Sequence, residues 1–415
     1  MIRPGDVLAL SIEKPAAGGR MIARHEGRVI LVSGAIPGER VTARVSRAGG
    51  SVVYAESLSI DEPSPDRRAW AGDALCGGCA YGHIEYARQL EIKAAVIADA
   101  FRRIGRLPLE QPVAVAASAE HGYRMRARLH VRGHRCGFFR EGTHEICDAR
   151  QTRQLLDDTS DAVDRLAAAL RSQALEAVTA IELAENVDAS SRAAFLDASS
   201  PIESRALERV AQTPGFSGLL SGTGSHGSPW VVDAVTVGGS TLTLRRHVRA
   251  FFQGNRFLFQ PFVDHVSSQV PAGADVLDLY AGGGVFSLAA ATARGSSVTA
   301  VEGDRWAAAD LAANAAASSR IRVVHRSVEE HLEASRGAAP QAAIVDPPRT
   351  GLSPPAVDGL VGLAPGRIVY VSCDTATLAR DARRLADAGY RMGSAQGFDL
   401  FPNTPHVEVV AVFDR

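Results

Sequence analysis

Lysine is almost absent from this 415-residue chain: only Lys14 and Lys93 occur among its 45 basic residues. Genomic base composition accounts for that bias without a functional reason. Cysteine is scarce too. Five cysteines, an odd count, do not suggest a disulfide scaffold, so each thiol is judged by its own site. No stretch approaches the roughly 18 consecutive apolar residues of a membrane helix, because charges, Gly, Pro or Ser interrupt every run. The opening Met1-Ile2-Arg3-Pro4-Gly5-Asp6 lacks the charged, then apolar, then small-residue order of a secretion signal. A cytoplasmic location and no membrane partner are therefore expected. Net charge is −1, so an excess of one sign does not mark a nucleic-acid binder, and charge has to be read locally. What is present is ordinary: 46% hydrophobic and 22% charged residues exclude a disordered, collagen-like or coiled-coil chain. At roughly 150 residues per domain, the length suggests about three domains.

Residues 1–60 have the pattern of a small β-barrel. The runs at 7–12, 29–32 and 41–45 are short and β-branched, and Gly18-Gly19, Pro37-Gly38 and Gly49-Gly50 punctuate them. A polar, Pro-rich linker follows at 61–66. Residues 86–105 are expected to form a helix, with Leu90, Ala94, Ile97, Phe101 and Ile104 on one face and Glu91, Lys93, Asp99 and Arg102 between them. A β-rich region extends from about 112 to 250, with a helix near 153–173. From about 251, strand-like segments alternate with Ala-rich helices, which implies a parallel, doubly wound sheet. The expected class is α/β. It comprises a small barrel at 1–60, a central β-rich α+β domain at 61–250 and a doubly wound, Rossmann-like domain at 251–415.

Four segments of the last part carry chemistry. Asp278-Leu279-Tyr280-Ala281-Gly282-Gly283-Gly284 ends a strand in a glycine turn, where a ligand can approach the backbone. Glu302 ends the next strand and can accept both hydroxyls of a ribose. The glycines do not form G-x-G-x-x-G, which weakens a dinucleotide reading; the loop resembles the S-adenosylmethionine loop of class I methyltransferases. Asp346-Pro347-Pro348-Arg349 puts an acid, stiffened by two prolines, at another strand's carboxyl end. In Val371-Ser372-Cys373-Asp374 a cysteine lies just past a strand, where a helix begins. A helix N-terminus lowers a thiol pKa below its free value of about 8.5 and favours the thiolate. In Phe401-Pro402-Asn403-Thr404-Pro405-His406-Val407-Glu408 a carboxylate opens the final strand and can serve as a base. Taken singly, these segments are a tight turn, a rigid turn, a small core residue and a solvated strand end. Together they fall on one sheet edge.

In this order the four segments resemble the RNA 5-methyluridine (uracil-C5) methyltransferase family. The resemblance extends to Phe251-Phe252-Gln253-Gly254-Asn255, to residues 32–39 of a TRAM-like N-terminal barrel, and to 122–128 and 137–140 of the central domain, nearly the whole chain. It implies S-adenosylmethionine as cofactor, Cys373 as nucleophile and Glu408 as base. It also puts Gln253, Tyr280, Gly282, Glu302, Ser327 and Asp346 on cofactor-binding positions. The chemistry fits: carbon 5 of uracil is a poor nucleophile until a thiolate adds at carbon 6, and a base must then remove the carbon-5 hydrogen. The chain departs from its relatives at Val285, Ser327, Tyr280 and Asp374-Thr375, which leaves nucleophile and base intact. The expected partner is a structured RNA, ribosomal before transfer RNA by family analogy, and the expected state is a monomer. The rivals are a non-catalytic RNA-binding protein that keeps the fold, and a methyltransferase of exocyclic nitrogens or small molecules. The first leaves Cys373 and Glu408 without a purpose; the second needs neither Cys373 nor the barrel.

Leu75-Cys76-Gly77-Gly78-Cys79 stands apart. Many relatives hold a four-iron cluster through a cysteine six residues earlier, this pair, and a fourth further on. Here Trp70 occupies the first position and Thr152 lies near the fourth. With only Cys76 and Cys79 of four ligands, no iron–sulfur cluster is expected; a relict tight turn is favoured over a zinc site or a redox pair, and nothing in the spacing of Cys136 and Cys147 makes them substitutes. Residues 121–140 hold six arginines and no acid. Arg124, Arg126 and Arg128 alternate and would share one strand face, a row suited to RNA phosphates. The alternative is structural pairing with acids such as Glu141 or Glu145.

Overall fold

Alternating inward apolar residues close the N-terminal strands on themselves. The computed structural model describes residues 2–50, 52–73, 75–133, 135–335 and 339–415. In it β1 (Val7–Pro15), β2 (Met21–His25), β3 (Arg28–Ser33), β4 (Arg40–Gly49) and β5 (Val52–Glu62) form a closed barrel in the order β1-β2-β3-β5-β4. Leu10, Ile12, Ile30, Val32, Val41 and Val53 fill it, and closure removes its open edges.

The helix expected at 86–105 divides into α1 (Tyr86–Ala100) and a π-helical turn, Phe101–Gly105. The wide turn carries an extra residue and rotates the stripe. Ile97 and Phe101 are buried as expected, but Ile104 is 43% exposed. Gln89 and Lys93 complete the buried side, and the Lys93 ammonium donates to Asp399 at 2.5 Å. The short strand β6 (Val115–Ala116) pairs in parallel with a strand of the C-terminal sheet, so α1 and β6 build on that sheet.

The central region is a seven-stranded sheet. It is built from β7 (Arg126–Arg132), β8 (Arg135–Phe139), β9 (Ile146–Asp148), β10 (Val178–Glu185), β11 (Arg192–Ala198), β12 (Gly218–Ser221) and β13 (Gly224–Gly227). Their order is β13-β12-β11-β10-β7-β8-β9. Helices α2 (Asp157–Ser172) and α3 (Ser204–Ala211) cover one face through Leu166, Leu170, Leu207 and Val210. The hairpin of β14 (Trp230–Val237) and β15 (Ser240–His247) leads into the C-terminal part.

There α4 (Phe259–Ser268), β16 (Asp275–Leu279), α5 (Val285–Ala293), β17 (Ser297–Glu302), α6 (Arg305–Ala315), β18 (Ile321–His325) and α7 (Val328–Ala334) follow in sequence. After them come β19 (Ala342–Val345), α8 (Pro354–Leu363), β20 (Arg367–Ser372), α9 (Thr375–Asp387), β21 (Arg391–Phe398) and β22 (Glu408–Asp414). The sheet order is β18-β17-β16-β19-β20-β22-β21-β6, with β16 to β20 parallel and β22 antiparallel. Val276, Val298, Ile344 and Val369 meet α4 and α5 on one face; Leu277, Val301, Val345 and Tyr370 meet α7, α8 and α9 on the other. Burial on both faces explains the unbroken apolar runs of these strands. Chain order reverses at β16, between β17 and β19, so a crevice opens at the carboxyl ends of the strands. No described helix is long and apolar enough to cross a membrane.

Candidate active site

Leu279 of β16 pairs with Val301 of β17 on one side and Val345 of β19 on the other. The next residues on these strands are Tyr280, Glu302 and Asp346, which form a row across the crevice. Tyr280 holds a left-handed backbone, φ 61°, a strained conformation for a bulky residue and one that concentrates at functional sites. Gly284 has φ 89°, and a Cβ there would approach Leu311 Cδ1 to 2.5 Å, so the turn into α5 admits only glycine. Glu302 accepts hydrogen bonds from the amides of Gly282 and Asp304, both at 2.7 Å, which holds its carboxylate at the crevice. Ser327 caps α7, its hydroxyl accepting from the Glu330 amide at 3.3 Å, so this side chain is already committed. Its backbone lies against Gly303.

The crevice is strongly acidic. Asp278 is fully buried. One of its oxygens accepts from the Ser287 hydroxyl at 2.5 Å, and the other has no partner. Burial, with the Glu302 charge adding, pushes its carboxyl up to about 7. Burial, then the charges of Asp278 and Glu302, pushes Asp346 up to about 8. Asp346 accepts from the Gln253 side-chain amide at 3.3 Å. An orphaned buried carboxylate oxygen, a cluster of uncompensated acids and a strand-end glutamate able to accept a ribose fit a cationic nucleoside that carries an amine. S-adenosylmethionine is such a molecule. Glu302 would take the ribose, Asp278 the amine, and Asp346 with Gln253 the side nearest the reacting centre.

One strand further along, Ser372 of β20 pairs with Val409 of β22. The next residues on this antiparallel ladder are Cys373 and Glu408, and directly opposed residues hold their Cβ atoms about 4.5–5.5 Å apart. Thiol and carboxylate thus face each other at the crevice. The expected thiol-lowering effect of the helix is absent. The first-turn amides of α9, those of Ala376 and Thr377, donate to the Asp374 carboxylate at 3.0 and 2.8 Å rather than to Cys373. Burial, then the Glu408 charge, pushes the Cys373 thiol up to about 11. Glu408 is buried, and burial together with the Asp346 charge holds its carboxyl well above the usual range. The cation acting against both shifts is Arg349. It lies in the Asp-Pro-Pro-Arg turn, and a cation beside an acid at a strand end is its signal in the sequence.

The loop between β21 and β22 aims Glu408, and long-range bonds clamp that loop. Lys93 holds Asp399, and Asn255 donates to the Leu400 carbonyl at 3.1 Å. Tyr123 donates to the Pro402 carbonyl at 3.2 Å. Asn403, in the left-handed conformation that Asn tolerates, exchanges hydrogen bonds with Gln89 at 2.9 Å and accepts from Arg68 at 2.7 Å.

The arginine row does not stay together. Arg128 is exposed but bound to Glu182 and Asp197, each at 2.5 Å, so its partners are acids, though not the ones considered from sequence. Arg124 precedes β7; it donates to Gln154 and the Arg126 carbonyl and lies over Phe138 and Phe401. Arg126 stands over Phe251, which is 59% exposed. The cysteines also depart from expectation: Cys76 and Cys147, 71 residues apart, form a disulfide. Sheet pairing of β8 with β9 brings Cys147 to the turn 75–79, which bonds to the end of β8. Cys79 is buried beside them with a free thiol, against Trp70 and Phe138. Cys373 and Cys136 are also free.

A doubly wound parallel sheet whose crevice is lined by strand-end acids, with a cysteine opposed to a glutamate beside it, is the architecture of a class I methyltransferase domain. A sequence profile of the tRNA (uracil-5-)-methyltransferase family matches residues 226–415, and one of the TRAM domain matches 3–58. The chain is 32% identical to the 23S rRNA (uracil(1939)-C(5))-methyltransferase RlmD of Pseudomonas putida, over 98% of this chain and 93% of that protein. It is 34% identical to the protein of the same name from Acidithiobacillus ferrooxidans, over 97% and 96%. Its fold matches that of Pyrococcus abyssi tRNA (uracil-54, C5)-methyltransferase, solved with S-adenosyl-L-homocysteine. The TM-score is 0.76 at 23% identity, covering 97% of this chain and 99% of that one. The chain belongs to the RNA uracil-C5 methyltransferase family and is an S-adenosylmethionine-dependent RNA (uracil-5-)-methyltransferase with an N-terminal TRAM domain.

Proposed function

We propose that this enzyme methylates carbon 5 of one uridine in 23S ribosomal RNA through a covalent adduct on Cys373. The opposition of Cys373 and Glu408 across the ends of β20 and β22 carries this reading. The Cys373 thiolate adds to carbon 6 of the uracil, and the electron pair of the 5,6 double bond moves to carbon 5 and its enolate. Bound S-adenosylmethionine would supply the methyl group to that carbon, the broken sulfur–methyl bond leaving its electron pair on the neutral thioether of S-adenosylhomocysteine. Glu408, as carboxylate, then takes the carbon-5 hydrogen as a proton; the double bond re-forms, and the thiolate leaves carbon 6. Arg349 stabilises the negative charge of both groups in turn. Asp346 and Gln253 hold the acceptor side of the cofactor pocket, and Arg124 and Arg126 meet RNA at its rim. Similarity over nearly the full length to proteins named for 23S rRNA favours ribosomal over transfer RNA as substrate, and a ribosomal substrate makes the reaction cytoplasmic.

Two variants test the chemistry. Cys373→Ala should abolish methyl transfer while cofactor affinity stays within a fewfold of wild type. Glu408→Gln should still attack and methylate but release the RNA slowly, so a covalent protein–RNA band accumulates on denaturing gels. Methyl transfer by Cys373→Ala at a comparable rate would overturn the covalent route.

A further inference from the structure

Some surface arginines of this chain have carboxylate partners: Arg128 has two, as do Arg140 and Arg150. Among those that have none, two exposed arginines beside the active-site crevice are seated on aromatic rings. Arg249 follows β15, four residues before Gln253, and Arg305 opens α6, three residues after Glu302. Among the described residues, neither has an acid within ion-pair distance. Ring faces hold them instead. The Arg249 guanidinium lies 4.4 Å from the Phe195 ring centre and 5.7 Å from that of Trp306. Arg305 lies 4.4 Å from Trp306. Trp306 is itself stacked on His247, with centroids 4.1 Å apart and planes 2° from parallel.

The platform is built from underneath. Buried Asp310 accepts from the His247 amide at 2.5 Å and from the Trp230 indole at 3.1 Å. The neighbouring acid, Asp304, caps α6, its Oδ1 accepting from the Trp306 and Ala307 amides. Burial, with Arg249, Arg245 and Arg305 around it, pushes the His247 imidazole down to about 4, while Asp304 opposes this, so the ring stays neutral at neutral pH. A guanidinium stacked on a ring keeps its N–H edge free, and that planar fork matches a phosphate.

We infer that Arg249 and Arg305, mounted on Phe195 and Trp306, grip the phosphodiester backbone of the substrate RNA on the cofactor side of the active site. This contact lies at the opposite end of the crevice from Cys373 and Glu408. The inference rests on the reading that the substrate is RNA. It extends the path of that RNA beyond the target nucleotide, across the lip over Glu302.

The test is the salt dependence of RNA binding by the full chain, using a transcript of the 23S rRNA region around the target uridine. Arg249→Gln/Arg305→Gln should weaken binding and lower the slope of log K against log salt by about 1.4–1.8, at roughly 0.7–0.9 per phosphate lost. S-adenosylmethionine affinity by calorimetry and the melting temperature should match wild type, and methyl transfer should lose KM rather than kcat. An unchanged slope with unchanged RNA affinity overturns the contact. A parallel fall in cofactor affinity or melting temperature overturns it too, since the arginines would then be structural. Wild type run alongside separates the two readings: if it neither binds nor methylates the transcript, the RNA assignment has failed rather than the patch.

Discussion

Cys147→Ser removes the one covalent cross-link among the described residues, and its cost follows from the loop that the cross-link closes. Cys76 and Cys147 are 71 residues apart. In the chain-entropy account a loop of that length withdraws about 4 kcal/mol of freedom from the unfolded state. The native contacts of the turn remain without the bond. The Gly77 amide still donates to the Phe139 carbonyl at 3.2 Å, that of Glu141 to Leu75 at 2.8 Å, and Arg140 still binds Asp73. The loss should therefore appear almost wholly as the unfolded-state term. For a cooperative unit of 150–250 residues, about 4 kcal/mol corresponds to a fall of roughly 8–16 °C in the melting temperature. Calorimetry should show that fall in Cys147→Ser, and dithiothreitol should produce it in wild type while leaving the variant unmoved. A thiol titration in guanidinium without reductant should count three thiols, those of Cys79, Cys136 and Cys373. Five thiols, or equal melting of variant and wild type, would refute the cross-link.

Three further outcomes are expected. With the thiol at about 11, alkylation of Cys373 by iodoacetamide should rise about tenfold per pH unit through the neutral range, since only the thiolate reacts. Arg349→Ala should slow that alkylation about tenfold or more at pH 8, because removing an adjacent cation moves a thiol up by roughly 1–3 pH units; an unmoved pH profile would show that Arg349 does not face the thiol. S-adenosylmethionine affinity should strengthen as pH rises through about 7 to 8, where Asp278 and Asp346 lose their protons. The ionised acids favour a sulfonium, so S-adenosylhomocysteine, with a neutral sulfur, should show the smaller change, and equal pH dependence of the two would remove the acids from sulfonium recognition.

The doubly wound sheet was legible because strands buried on both faces write continuous apolar runs, and the row of Tyr280, Glu302 and Asp346 because these residues sit one step past those strands. Cys373 and Glu408 could be placed on one edge for the same reason. What escaped the sequence depends on partners far along the chain. Lys93 looks like a polar-face residue until Asp399, 306 residues away, makes burying it possible. Arg128 looks like an RNA contact until β10 and β11 bring Glu182 and Asp197 beside it. Cys147 had no spacing to recommend it, because pairing of β8 with β9 is what carries it to Cys76. The thiol of Cys373 was misjudged for a local reason: Asp374, one residue on, takes the helix amides that were expected to lower its pKa.

The central claim is that Cys373 bonds to the uracil during methyl transfer. Substrate RNA carrying 5-fluorouridine at the target position tests it most directly, because fluorine at carbon 5 cannot leave as a proton and the adduct persists. With S-adenosylmethionine present, wild type should form a denaturation-resistant complex, and mass spectrometry of its peptides should find the methylated fluorouridine on Cys373; Cys373→Ala should form none. A transcript that is methylated normally in its unsubstituted form, but yields no adduct, or one on another residue, would contradict the account.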